Sequence, residues 1–125
     1  DYTYDCRVWR RYFLGETLAE RLALQQVIQE GNSVEGNMVF IAAFREVGDH
    51  ETAEILEYIN ADETVHARFG NKWLLWLVDN SHAEYENTLN RVMANSGLKI
   101  PGKAPVNKYT RALSAFPMWF IEGLP

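Results

Sequence analysis

Glu63 and His66 stand three residues apart in the stretch "ILEYINADETVHARFGNKWLLWL", residues 55–77. A carboxylate and an imidazole at i and i+3 project from one helix face, about one turn apart. In helix bundles that spacing lets one helix offer two ligands, an oxygen and a nitrogen, to one metal centre. Stepping by four and three residues gives Leu56, Ile59, Glu63, His66, Gly70, Trp73 and Leu77. That is the seam of a helix that buries one face against other helices. Two polar groups in a buried seam cost on the order of several kcal/mol unless something satisfies them. A bare Glu-x-x-His is more often a buried histidine paired with a neighbouring acid. Asp79-x-x-His82 has the same form but falls at a helix boundary. The position of Glu63 and His66 in the seam is what turns the reading toward ligation.

Long helices are needed to place such a pair. Residues 5 to 47 form one kinked helical arm, with Leu14, Leu18, Leu22, Gln25 and Ile28 as an amphipathic stripe. "EGNS", residues 30–33, breaks or kinks the arm, because Gly31 and Asn32 favour turn conformations. Residues 34 to 47 continue it, with Phe40, Phe44 and Val47 on one side. Gly48 stops the arm and Asp49 caps a return helix over 50–79. Ser81 and Glu84 make a capping-box pattern that opens a shorter helix to about Asn95, ended by Gly97. The segment 97–125 reads as a C-terminal extension, a Gly/Pro loop followed by two short helical turns split by Pro117. No period-two strand pattern and no internal repeat is present. The expected class is all-α, with residues 1–125 as a single domain.

Folding the arm back at Gly48 and Asp49 sets the levels. Glu63 and His66 lie 14 and 17 residues beyond Asp49, hence ~21 to 26 Å from the turn at 1.5 Å per residue. Glu30 lies 18 residues before Gly48, hence ~27 Å from the same turn. Glu30 therefore arrives at the level of His66. Glu35 arrives at the level of Glu63 and is the runner-up. Glu16 and Glu20 lie ~15 to 20 Å higher and do not reach. One Glu on one helix and a Glu-x-x-His on its neighbour make half of a carboxylate-bridged dimetal site.

Composition bounds the alternatives. A chain of 125 residues, 47% hydrophobic, fits one globular domain with a real core. The net charge of −5 and the lack of a basic stripe with interleaved aromatics argue against nucleic acid. The longest apolar run, "WLLWLV", is far short of the ~20 residues of a membrane helix. The single Cys6 rules out an intramolecular disulfide, and a reducing cytoplasm is the expected compartment.

"IQEGNSVEGN", the 55–77 stretch and "GKAPVNKYTRALSAF" resemble an uncharacterised branch of the ferritin-like superfamily, a domain of unknown function. Its pattern is a Glu before a small-residue break, a Gly-Asp helix start, an Asp-Glu-x-x-His-x-x-x-Gly-Asn-x-Trp core and a Pro-x-Asn tail. The resemblance spans nearly the whole chain. It puts the Glu of the break on Glu30 and the helix motif on Glu63 and His66. The spacing of Glu30 from Glu63 also resembles that of the diiron tRNA-modifying hydroxylase, a more distant relative. Family members carry an earlier Glu and an earlier Glu-x-x-His on two preceding helices. Here Glu16 and Glu20 have no following His before His50, and "VEGN" replaces the more usual Pro-containing helix start. The resemblance thus implies a ferritin-like half-bundle: two long antiparallel helices plus short C-terminal helices. Either a first half outside this chain or a second copy of it, in a dimer, would complete the bundle.

The expected function is a non-haem diiron or dimanganese carboxylate protein. Carboxylates suit iron and manganese as hard donors, and imidazole adds a nitrogen. Glu30, Glu63 and His66 are the expected ligands, with dioxygen and a small-molecule substrate as reactants in an oxidase or hydroxylase reaction. The alternatives are a metal-free helical interaction module, a ferroxidase or other iron-handling protein, and a tRNA-modifying hydroxylase. Among other residues, Trp73 and Trp76 are expected in the core. His50, His82, Lys72 and Arg68 are expected in solvent. Asp62 reads as a surface acid, and Tyr58 as a neighbour without an assigned role.

Overall fold

Thr17 opens the first long helix in a computed structural model that describes residues 6–125. Its hydroxyl accepts the Glu20 N–H, and the Glu20 carboxylate accepts the Thr17 N–H in return. Two of the N–H groups that a helix start leaves over are paired in this way. A short α1 (Arg7–Tyr12) precedes this start; position 5, where the sequence began the arm, lies outside the described residues. From Thr17 the chain runs unbroken through α2 (Leu18–Leu22), a π segment (Ala23–Glu30) and α3 (Gly31–Glu46).

Of the break or kink expected at "EGNS", the break is absent, since the helix runs on through Gly31; the arm is interrupted earlier, between α1 and α2. Gly31 is helical, with φ −59° and ψ −37°. Its missing side chain serves packing instead, since a Cβ there would lie 2.9 Å from the Phe116 ring and 3.0 Å from Arg111 Nη1. Asn32 donates to the Lys99 carbonyl at 2.8 Å and accepts from Arg111 Nη2 at 2.8 Å. Residue types that favour turns in isolation here answer tertiary contacts, and those override a weak local preference.

Gly48, at φ +81°, makes the expected turn, and Asp49 caps α4 (His50–Leu77) by accepting the Thr52 N–H at 3.1 Å. α4 returns antiparallel to the first arm, with Gln26 against Gly70, Glu30 near His66 and Ser33 near Glu63. It ends at Leu77, ahead of Asp79 and Asn80, both left-handed. Ser81 accepts the Glu84 N–H to start α5 (His82–Ser96), which Gly97 closes at φ +71°. α6 (Lys108–Leu113) and α7 (Met118–Glu122) are the two short tail helices, with Pro117 at the start of the second. Helices are the only regular elements among the described residues, so the class is all-α.

The core centres on the π segment. Its Ala23, Leu24, Val27 and Ile28 are fully buried against Leu74 of α4, Tyr85, Leu89 and Val92 of α5, and Phe116 and Ile121 of the tail. The segment 97–125 is thus built into the core rather than hung on it. Arg68, expected in solvent, is half-buried and donates to the Leu113 carbonyl at 2.8 Å. His82 stacks on Trp119 with centroids 4.2 Å apart. No helix among the described residues is long and apolar enough to cross a membrane.

The described residues leave one face of the helix pair uncovered. Trp73 and Trp76, expected in the core, are 53% and 65% exposed. They pack edge-to-face on each other at the surface, with centroids 5.5 Å apart. Phe40, Val47, Ile59, Leu14 and Leu18 are exposed as well, whereas Leu56 and Leu77 are half-buried. The reason lies in the arc that the partners occupy. Ala53, Ala67, Gly70, Asn71 and Leu74 use the buried arc of α4, and Ile55, Ile59, Phe69, Trp73 and Trp76 lie on the arc beside it. Periodicity identified an apolar stripe, but no element among the described residues covers its full width.

Candidate metal centre

Glu30 is the last residue of the π segment, and Glu63 and His66 lie midway along α4. The three side chains converge: one ligating atom from each lies within 4.8 Å of the other two. Glu30 and Glu63 are half-buried and His66 is exposed. His66 Nδ1 sits 3.9 Å from Glu30 Oε2, close enough for charge interaction and too long for a hydrogen bond.

The carboxylate of Glu30 is the feature that most needs explanation. Its Oε2 is buried and accepts no hydrogen bond. Burial pushes its pKa above the usual carboxylate value, and the nearby Glu63 carboxylate pushes the same way. His66 and a hydrogen bond from Gln25 act in opposition and only partly offset this. Ser33 is the local polar partner: its hydroxyl lies 2.8 Å from the Glu30 main-chain carbonyl and 3.3 Å from Glu63 Oε2. It has one proton to donate, and the shorter contact to the carbonyl is the better bond. The two acids therefore share a site with too few donors between them. Two carboxylates and an imidazole gathered this way are a hard-donor set that suits iron, manganese or another divalent cation. The chemistry of the donors and the orphan oxygen both fit a bound metal.

Glu35 is committed elsewhere. Arg111 grips it in a fully buried two-pronged ion pair, Nε to Oε1 at 2.9 Å and Nη2 to Oε2 at 2.7 Å. The Asn107 main-chain N–H adds a third donor at 2.9 Å. The difference between Glu30 and Glu35 is thus one of partners: the second is gripped by a guanidinium, while the first has only the His66 imidazole at 3.9 Å. Glu20, also buried, bonds Arg91 at 2.8 Å and the Glu16 N–H at 2.8 Å. Those partners hold its carboxyl below the usual range. Neither Glu16 nor Glu20 joins the cluster.

Behind the site, the Gly-Asn of the α4 motif is structural. Asn71 donates to the Ala67 and Ser114 carbonyls and accepts from the buried Tyr85 hydroxyl. Burial raises the Tyr85 pKa strongly, so the phenol stays a donor. Ser33, and the contact of Gln25 with Glu30, escaped the sequence reading. Ser33 has a signal, since it stands three residues after Glu30 on the same face. Gln25 has none, because its reach to a residue five positions on depends on the π geometry. A cleft of about 470 Å³, lined among others by Met38, Arg45, Glu57, Asn60 and Thr64, contains none of the three clustered residues.

The family model described as "Protein of unknown function (DUF455)" matches residues 7–122, so the chain belongs to that family. No curated protein and no solved structure matches the chain.

Proposed function

For this family member, we propose a ferritin-like half-bundle carrying half of a carboxylate-bridged dimetal centre, with Glu30, Glu63 and His66 as this chain's ligands. The observation behind the reading is the buried, unpartnered Oε2 of Glu30, with a second carboxylate and an imidazole nitrogen inside 4.8 Å. A buried polar atom without a partner costs about 1–3 kcal/mol, and a cation at this point would remove that cost. Bound iron or manganese would supply dioxygen activation, which makes an oxidase or hydroxylase the favoured activity. Within this chain, Ser33 and Gln25 hold the carboxylates in place, and His66 adds the nitrogen donor. The exposed stripe through Ile59 and Trp73 would exclude water once covered.

A dimetal site of this kind takes ligands from four helices, a Glu from two and a Glu-x-x-His from the other two. The described chain brings one of each. The other set would come from a second copy or from a further chain segment packed on the open face.

Ferrous iron, or manganous ion in a parallel sample, added without oxygen and followed by desalting and metal counting, tests the reading. About one iron per chain is expected by that count of ligands. Glu63→Ala and His66→Ala should each abolish tight binding, and Glu16→Ala should keep it. A wild-type chain that takes up no iron or manganese leaves a metal-free helical module as the function. Equal loss in the Glu16 variant would show that the losses are not due to ligation.

A further inference from the structure

The π segment and α4 meet closely at Gly70. A Cβ added there would lie 2.3 Å from Gln26 Cβ and 3.3 Å from Gln26 Cα and carbonyl carbon. Carbon atoms out of bonding range settle at about 3.5–4.0 Å. The obstructing atom is the root of the Gln26 side chain, not its tip, so no rotamer change relieves the clash. Backbone would have to move by roughly 1 Å or more to restore that spacing.

The place of this contact matters. Gln26 lies four residues before Glu30 in the π segment, and Gly70 four residues after His66 on α4. Four residues is about one helical turn, so the contact sits next to the clustered ligands along both helices. A π segment is wider than the α-helix it interrupts, and such segments recur at functional sites. This one spans eight residues and ends on Glu30. A wide segment can lie against a neighbouring helix only where that helix presents little bulk, and Gly70 presents none.

We infer that Gly70 is a positioning residue: its missing side chain lets the π segment seat against α4, and that seating carries the Glu30 carboxylate to Glu63 and His66. The inference leans on the metal reading for its binding readout, while the placement of Glu30 is a property of the metal-free protein. Gly36 supplies the control. It is also helical, and a Cβ there would meet nothing within 4 Å. Gly36→Ala gains helix propensity without a clash.

The test uses the whole chain in four forms: wild type, Gly70→Ala, Gly36→Ala, and Gly70→Ala combined with Gln26→Gly. The last removes the atom at 2.3 Å and leaves contacts at 3.3 Å, which small shifts absorb. Ferrous affinity by competition should fall at least tenfold in Gly70→Ala, hold in Gly36→Ala, and recover in the double variant. Circular dichroism should show all four helical. Crystal structures of metal-free wild type and Gly70→Ala read the placement directly. The Glu30–His66 separation, 3.9 Å in the native chain, should lengthen by roughly 1 Å or more, as the carbon contact demands. An unchanged separation overturns the inference whether or not iron binds; if Gly70→Ala proves unfolded, a double variant that fails to restore folding and placement overturns it too. A lengthened separation in a protein that never binds metal would sustain the positioning role and remove the metal reading instead.

Discussion

Glu30 and Glu35 have the same chemistry, stand five residues apart on one continuous helix, and lead opposite lives. Glu35 has three donors and a buried guanidinium. Glu30 has a buried oxygen with none. In the metal-free protein, the folded chain therefore works against its own Glu30. The sign follows from the raised pKa. A carboxyl that holds its proton more tightly when folded makes the folded state the better proton binder between its ordinary and raised values. Stability falls as pH rises through that window, and the penalty is complete above it. Glu30→Gln should thus stabilise the apo protein at neutral pH. An orphan polar group costs about 1–3 kcal/mol, and recovering part of that raises the melting temperature by a few degrees. The gain should shrink as the pH is lowered through the window. Thermal melts of both forms against pH check this; a variant that melts lower than wild type at pH 7 contradicts the account.

The same contrast governs the elements. α6 is only six residues long, and short isolated helices are marginal in water. It is held by Asn107, which caps it by accepting the Thr110 N–H, and by Arg111, which plugs into Glu35 and lies over the Phe116 ring at 4.7 Å. Arg111→Ala leaves Glu35 charged, buried and unpaired. Breaking a buried pair from one side costs about 3–5 kcal/mol. The expected result is a large fall in the urea midpoint, with the tail the first region to lose amide protection. The double change Glu35→Gln with Arg111→Met should cost clearly less, since no lone charge remains. If the single and double variants lose equal stability, the charge left behind is not the cause.

At the scale of the whole molecule, the open face dominates. Ile55, Ile59, Phe69, Trp73 and Trp76 follow one another along α4 at helical spacing, and all are more than 40% exposed. Asp62 and His66 interrupt the stripe between Ile59 and Phe69, but so many large exposed apolar side chains on one helix face point to an interaction site. His66 shares this face, with 54% of its side chain exposed, so covering the stripe would also close over the Glu30–Glu63–His66 cluster. The chain should therefore associate at micromolar concentration, and Trp73→Glu should reduce association while keeping helicity. Native mass spectrometry together with the iron-to-chain ratio reads the outcome. A two-fold symmetric dimer would repeat Glu30, Glu63 and His66 around one centre. A folded monomer that binds iron tightly would contradict the shared site.

Much of this was legible in the residues alone. Gly48 and Asp49 announced the hairpin, because a left-handed turn and a side-chain cap are local chemistry. Counting residues from that turn put Glu30 at the level of His66, because helical rise is a constant. The spacing on α4 put Glu63 and His66 on one face, and the fold brings Glu30 to them. What sequence could not supply depended on neighbours distant in the chain. Gly31 and Asn32 read as a break, yet Phe116, Arg111 and Lys99 claim them for packing. Glu35 stood as the runner-up to Glu30, and only the fold shows that Arg111, 76 residues away, claims it. Trp73 and Trp76 looked like core, since periodicity marks an apolar stripe without saying how wide its cover is. The π segment announced itself in no residue pattern that the sequence offers. Local geometry is written in nearest neighbours along the chain; which carboxylate is left without a partner is decided only when the chain has folded.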